Sequence, residues 1–249
     1  MQLKELEIYL NQILDITHFR DYCPNGLQVE GRSEVRQLIS GVTASFEFLQ
    51  AAVEAGADAV IVHHGYFWRG EDPCIVGIKH RRISHLLAHD IGLLAYHLPL
   101  DAHPELGNNA QLGHRLGFFE TGRFGEQEIA MQGTLLPEMP RLKDLCMKIE
   151  RVLSRKPLVI GDDESLIHRV AWCTGAAQDY FEEAVRLGVD AFITGEISER
   201  MVHAARESGV AFISAGHHAT ERYGIQALGE HISSKFGLVH RFIDIDSPV

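Results

Sequence analysis

The sequence predicts an α/β fold of two similar lobes with largely parallel sheets. Three observations carry that prediction. Continuous apolar runs such as Ala59-Val60-Ile61-Val62 and Val210-Ala211-Phe212-Ile213-Ser214-Ala215 mark strands covered on both faces. These runs alternate with stretches of helical period, the grammar of βαβ units. The segment Ala184-Val185-Arg186-Leu187-Gly188-Val189-Asp190-Ala191-Phe192-Ile193 repeats Ala52-Val53-Glu54-Ala55-Gly56-Ala57-Asp58-Ala59-Val60-Ile61 at a constant offset of 132 positions. Val170 to Gly175 echoes Leu38 to Thr43 in the same way, so both halves read strand, helix, strand. Internal duplication explains a match that keeps the same glycine and aspartate, and its period is too long for a solenoid.

Leu3, Leu6, Ile8, Leu10, Ile13 and Leu14 give residues 2–14 the pattern of an amphipathic helix. Residues 21–31 contain Pro24 and Asn25-Gly26 and read as a loop. Val35 to Val42 is a strand, Ser45 caps a helix from Phe46 to Ala55, and Gly56 ends it. The strand at Ala59 runs directly into His63-His64-Gly65. After an aromatic, charged loop over 66–79, the pattern predicts a helix from Lys79 to His89. A strand from Ile91 to Tyr96 ends in His97-Leu98-Pro99-Leu100-Asp101, and a helix carries Ala110, Leu112 and Leu116. Residues 120–141 change character, punctuated by Gly122, Gly125, Gly133, Pro137 and Pro140, and read as the joint between lobes 1–125 and 126–249. A helix from Leu142 to Leu153 and a short strand from Pro157 to Ile160 precede the second copy of the repeat.

Composition narrows the function. The formal net charge is −11 with no basic tract, which argues against nucleic acid and anionic membrane as partners. Cys23, Cys74, Cys146 and Cys173 show no C-x-x-C spacing and read as reduced thiols of a cytoplasmic protein. No apolar run is long enough to span a bilayer. Among fifteen histidines, His80, His85, His89 and His240 stand in polar company and read as surface residues, and His203 as a packed residue facing the sheet.

The remaining histidines and several acids fall at strand ends, where ligands gather in α/β sheets. His63 and His64 end one strand, His97 and Asp101 follow another, and Glu196 follows a third at the repeat position of His64. Gly216-His217-His218-Ala219-Thr220-Glu221 follows a fourth and opens a helix bearing Ile225, Leu228 and Ile232. On that first turn the four-residue spacing puts His217 and Glu221 on one side. Taken singly, each could be a cap or a hydrogen-bonded structural residue. Together, three imidazoles (His63, His64, His217) and two carboxylates (Asp101, Glu221) exceed what one zinc takes and suit two divalent ions. This places a metal site at the strand C-terminal ends between the lobes, with Glu221 as the carboxylate best placed to bridge.

The segments Pro24 to Gly31, Val62 to Trp68, His97 to Asp101, Thr194-Gly195-Glu196 and Gly216 to Glu221 resemble the YbgI-type dinuclear metal-binding family, whose members are labelled GTP cyclohydrolase 1 type 2 homologs. The resemblance covers nearly the whole chain. It implies a toroidal homohexamer with two divalent ions per subunit: His64 and Asp101 on one ion, His63 and His217 on the other, and Glu221 between them. Mixed imidazole and carboxylate donors accept Zn, Fe, Mn or Ni. Two such ions against Asp101 and Glu221 leave a net charge of about +2, which favours a small anionic or nucleotide-like substrate. The expected activity is metal-dependent hydrolysis, with Glu221, His97 and Glu196 as catalytic groups and Asn25, Tyr66 and Arg69 as substrate contacts. The alternative is a non-catalytic, metal-holding or regulatory hexamer, since no serine or cysteine nucleophile motif is present.

Overall fold

A computed structural model of the chain describes residues 1–135 and 141–249. Pro137 and Pro140, two of the residues read as the joint, lie outside the described residues. The chain folds into two compact units, one of Met1–Gly107 with Gly224–Asp246, the other of Asn108–Tyr223 with Ser247–Val249. The expected boundary at 125 therefore falls inside the second unit.

In the first unit, α1 (Leu3–Ile13) precedes β1 (Gly26–Val29), β2 (Gln37–Thr43), α2 (Phe46–Glu54), β3 (Ala59–His64), α3 (Gly77–Ala88), β4 (Gly92–Ala95) and the short α4 (Leu98–Ala102). The sheet order is β1-β4-β3-β2-β11, with β11 (Val239–Phe242) contributed by the chain's last part. Strands β11, β2, β3 and β4 pair in parallel, and β1 runs antiparallel to β4 along the edge. Residues 21–31, expected to be loop, thus contain a strand: β4 offers an open edge, and Leu27 and Val29 pair with Leu94 and Leu93 there. Ser45 caps α2 by accepting from the Phe48 amide at 3.2 Å, as its position before the apolar run predicts. Two cores cover the sheet. Leu6, Leu10, Leu38, Ile61, Leu94 and the helical Ile225, Leu228 and Ile232 form one; Ile39, Val60, Val62, Phe48 and Leu49 form the other. This explains why β2, β3 and β4 read as unbroken apolar runs: their two faces are both buried.

The second unit contains α5 (Asn108–Leu116), β5 (Phe118–Phe124), β6 (Ala130–Leu135), α6 (Leu142–Leu153), β7 (Leu158–Ile160), β8 (Arg169–Trp172), α7 (Phe181–Arg186), β9 (Ala191–Thr194), α8 (Glu199–Ser208), β10 (Ala211–Ser214) and the start of α9 (His217–Phe236). Its sheet order is β5-β6-β8-β9-β10-β7. Strands β8, β9 and β10 are parallel; β5, β6 and β7 add antiparallel edges. The antiparallel pairing of β6 with β8 is why residues 118–135 belong to this unit and not to a joint. Its core gathers Trp172, Val170, Ile193, Ile213, Leu145 and Ile149. Helix α9 passes from the second unit into the first at Tyr223–Gly224.

The duplication is visible in the hydrogen bonds. In the first unit Leu38, Ile39 and Ser40 of β2 register with Ala59, Val60 and Ile61; in the second Val170, Ala171 and Trp172 register with Ala191, Phe192 and Ile193. Every pair is shifted by the same 132 positions. Asp58 Oδ2 accepts from the Arg36 and Gln37 amides, and Asp190 Oδ2 from those of His168 and Arg169, all at 2.8 Å. Gly56 and Gly188 end their helices at φ +75° and +71°, a conformation that favours glycine. The shared Gly and Asp are thus the helix stop and the carboxylate that ties the loop back to the incoming strand. Among the described residues, no helix is long and apolar enough to cross a membrane.

Candidate metal centre

In the first unit the donors cluster at the carboxyl ends of β3 and β4. His63 is fully buried; its Nδ1 lies 2.9 Å from the Tyr96 carbonyl and its Nε2 3.4 Å from Asp101 Oδ1. Asp101 is itself buried, on α4, the short helix that Pro99 helps to start just beyond β4. His64 Nδ1 lies 3.1 Å from Thr43 Oγ1. The two rings are 4.5 Å apart, centroid to centroid, although both residues still belong to β3. Gly65 allows the chain to leave the strand here: a Cβ at this position would run into Gln28 Oε1, which accepts from the Tyr66 amide.

His97 stands beside them, its ring 5.1 Å from His63, 5.7 Å from His64 and 4.9 Å from Trp68. Its Nδ1 is 2.7 Å from Asp21 Oδ1, and its amide donates to Asn25 Oδ1 at 2.8 Å. Asp21 also accepts from Asn25 Nδ2 and the Leu98 amide. Burial would raise the Asp21 carboxyl, but His97 and these donors outweigh it and hold it below its ordinary value. Nearby Cys23 is pushed up to about 12 by burial and the Asp21 charge, so it is a neutral thiol at neutral pH. The sequence reading includes Asp21 only as the start of a loop. Nothing local announces its role, because its partner lies 76 residues further along the chain.

The expected substrate contacts occur in the same region with their polar groups engaged by protein. Asn25 joins Asp21 to the His97 backbone. Arg69 donates from Nη2 to the Asp21 carbonyl at 2.9 Å and stands over the Tyr22 ring. Tyr66 is buried and donates its hydroxyl to the Ala44 carbonyl.

In the second unit the donors are carried by the first turn of α9. His217 Nε2 lies 3.2 Å from Glu221 Oε2, the i,i+4 contact that the spacing predicts, and His217 Nδ1 lies 2.6 Å from Glu196 Oε1. Burial pulls the His217 imidazole down, yet the Glu221 and Glu196 carboxylates beside it push it up to about 9. Two glycines make room for this turn. A Cβ on Gly175 (φ +70°) would collide with Glu221 Oε1; one on Gly195 would sit 2.6 Å from both the Gly175 carbonyl oxygen and His217 Cα. The Gly175 amide meets Thr220 Oγ1 at 3.1 Å, which locks the turn against the end of β8.

Other histidines have different work. His103 Nδ1 accepts from the Glu105 and Leu106 amides and closes a turn. His80 and His89 are exposed as expected, but His85 and His240 are half-buried, and His240 meets Ser40 Oγ at 2.7 Å. His203 is exposed on α8, whose Met201 and Ala205 are the buried residues, so the helix is turned the other way from the sequence reading.

The donor set fits divalent metal. Both units bring imidazole nitrogen and buried carboxylate oxygen to a strand end, and Gly175 and Gly195 are what let Glu221 and His217 approach there. The profile of the family described as Duf34/NIF3 (NGG1p interacting factor 3) matches residues 1–248. A Pseudomonas aeruginosa protein named GTP cyclohydrolase 1 type 2 homolog is 54% identical over 241 residues, covering 96% of this chain and 95% of its own. The solved structure titled protein ybgI, of unknown function, superposes with TM-score 0.95 at 51% identity over the full length of both chains. A structure from Thermus thermophilus gives TM-score 0.90 at 34% identity, again over both full lengths. The chain belongs to the Duf34/NIF3 family.

Proposed function

We propose that this Duf34/NIF3 protein holds two divalent metal ions and uses them to hydrolyse a small anionic or nucleotide-like substrate. One observation carries the reading. His63, His64, His97 and His217 each have Nδ1 anchored on a protein oxygen: the Tyr96 carbonyl, Thr43, Asp21 and Glu196. Ligating histidines characteristically have one ring nitrogen fixed in this way, so that the other is presented as a donor. Four anchored imidazoles at strand ends are far more than hydrogen bonding in a core requires. The resemblance of the motifs supplies the assignment: His64 and Asp101 on one ion, His63 and His217 on the second, Glu221 bridging.

When bound, such a pair supplies Lewis acidity and a strong nucleophile from water at neutral pH. The chain's own residues orient the donors and carry protons. Glu196 fixes the His217 ring at Nδ1 and is the first proton-carrying group, and Asp21 fixes the ring of His97, the second. Asn25, Tyr66 and Arg69 shape the wall of the first unit's cluster, with substrate contact by Arg69 and Asn25 through donors beyond those already engaged. The homohexamer implied by the resemblance is part of this proposal, as is a cytoplasmic location.

Elemental analysis of protein purified without added metal tests the reading. The expected result is about two equivalents of Zn, Fe, Mn or Ni per chain in the parent and almost none in a His63→Ala, Glu221→Ala double variant. A parent that carries no metal and takes up none on reconstitution would sink it. Mass measurement by light scattering tests the hexamer, and a screen of phosphoesters, nucleotides and cyclic amides with the identified metal tests hydrolysis. A loaded centre inert to the whole screen would favour the metal-holding alternative.

A further inference from the structure

We propose that the first unit carries a mononuclear metal site of its own, formed by His63, His64 and His97, with Asp21 as the residue that positions the third imidazole. One ligand atom from each of the three histidines lies within 4.8 Å of the others. Nitrogens bound to one zinc at about 2.0–2.1 Å lie no more than about 4.2 Å apart, so a small side-chain adjustment closes the three onto one ion. All three rings are anchored at Nδ1, as described above. The His97 anchor is the most elaborate. The Asp21 side chain is only 3% exposed and uses its oxygens on His97, Asn25 and the Leu98 amide. Such a carboxylate–histidine pair sets the tautomer, leaving Nε2 as the donor nitrogen. A core histidine needs no partner with that degree of support. Asp101 Oδ1, 3.4 Å from His63 Nε2, places a carboxylate within reach as a fourth donor. Three imidazoles and one oxygen are a complete tetrahedral set for zinc or cobalt.

The inference rests on the metal reading in sharing His63, His64 and Asp101. It differs in what it asks of His97 and of the second unit. In the five-donor arrangement His63 and His64 serve different ions, and His217 and Glu221 are indispensable. In the three-histidine site a single ion is held with no donor from the second unit. In this one-ion state His97 is a ligand, whereas in the five-donor arrangement it is the proton-carrying group named above. Asp21 supports the ring in both states.

The test uses the full chain with His217→Ala and Glu221→Ala combined, titrated with Zn(II) and Co(II). The expected result is about one equivalent retained, with a tetrahedral cobalt spectrum and three imidazoles counted by X-ray absorption. Adding Asp21→Asn should weaken that equivalent by about 10–100-fold, and adding His97→Gln by at least as much. Failure to bind any ion, or a count of two imidazoles in the double variant, would overturn the proposal, as would indifference to His97→Gln. The imidazole count needs no substitution at His97, so it decides the matter even if those variants fold poorly. The two readings fail separately. A parent with two ions whose double variant holds none keeps the dinuclear centre and removes this site. A parent that binds one ion, dependent on His97, does the reverse.

Discussion

The two copies of the repeat have the same frame but place imidazole and carboxylate groups at their strand ends in opposite ways. Register, helix stop and loop-tying aspartate coincide residue for residue. The strand ends do not. Where the first copy has Thr43, His63 and His64, the second has Gly175, Gly195 and Glu196. In the first, β3 continues as strand through His64 and the strand itself bears the imidazoles, one anchored on Thr43. In the second, β9 stops at Thr194, and glycines clear the space into which α9 lowers His217 and Glu221. One scaffold, once duplicated, can bear imidazoles on a strand or make room for an imidazole and a carboxylate from a helix. The choice lies in three positions outside the shared frame.

This comparison can be broken most forcefully at Gly195. Gly195→Ala drives a methyl against the Gly175 carbonyl and the α9 backbone, neither of which is a flexible side chain. Overpacking of this kind costs about 1–3 kcal/mol, and we expect the upper end, read as a lowered urea midpoint with the slope unchanged. A midpoint within error of the parent would show that α9 is not seated as tightly as the contrast requires.

The loop-tying carboxylates come next. Asp58→Ala and Asp190→Ala each strand two backbone amides, for a loss of about 2 kcal/mol apiece. Asp58 also meets Arg32 Nη1 at 2.8 Å, whereas Arg169, beside Asp190, turns its Nη2 to the Leu187 carbonyl. The Asp58 variant should therefore be the slightly less stable of the two. Equal or reversed midpoints would remove that distinction.

Acid sharpens the same point. Burial would raise the Asp58 carboxyl, but the Gln37 and Arg36 amides and Arg32 hold it below its ordinary value. A group with a depressed folded pKa contributes stability that is present above its unfolded value, about 3.9, and is lost as pH falls through the folded one. The stability gap between parent and Asp58→Asn should be full at pH 6 and narrow below about pH 4. Urea midpoints at both pH values measure it, and a gap independent of pH would refute the assignment.

The smallest effects are expected at the paired helix stops. Gly56→Ala and Gly188→Ala force an L-residue into the left-handed region, at about 1 kcal/mol each. The Gly188 variant should suffer a little more. Its Cβ would meet Arg169 Nη1 at 3.3 Å, whereas the nearest atom at Gly56, Gln37 Nε2, is 4.0 Å away. Thermal unfolding of the two single variants gives the order directly.

Much of this was legible in the chain. Unbroken apolar runs announce β3, β9 and β10 because strands covered on both faces have no polar side to show. Ser45 and Gly56 announce the ends of α2 because capping and positive φ are local demands on single residues. The His217–Glu221 pairing follows from helical pitch alone. The placement of His63, His64 and Asp101 at strand ends was readable for the same reason. Other features required the fold. That β11 closes the first sheet beside β2, that residues 118–135 form a hairpin against β8, and that His240 turns inward to Ser40 all join segments distant in sequence. Periodicity reports only which face of an element is buried, not what buries it. Asp21 is the clearest case. As a loop acid it has no pattern to distinguish it, and it acquires a role only when β4 ends next to it and His97 turns its Nδ1 toward it. The sequence determined the candidate donors, the caps and the duplicated frame, because those are set by each residue's own conformation and by local spacing. Only the tertiary structure decided which oxygen anchors each imidazole, because that depends on approaches across tens of residues that no local rule encodes.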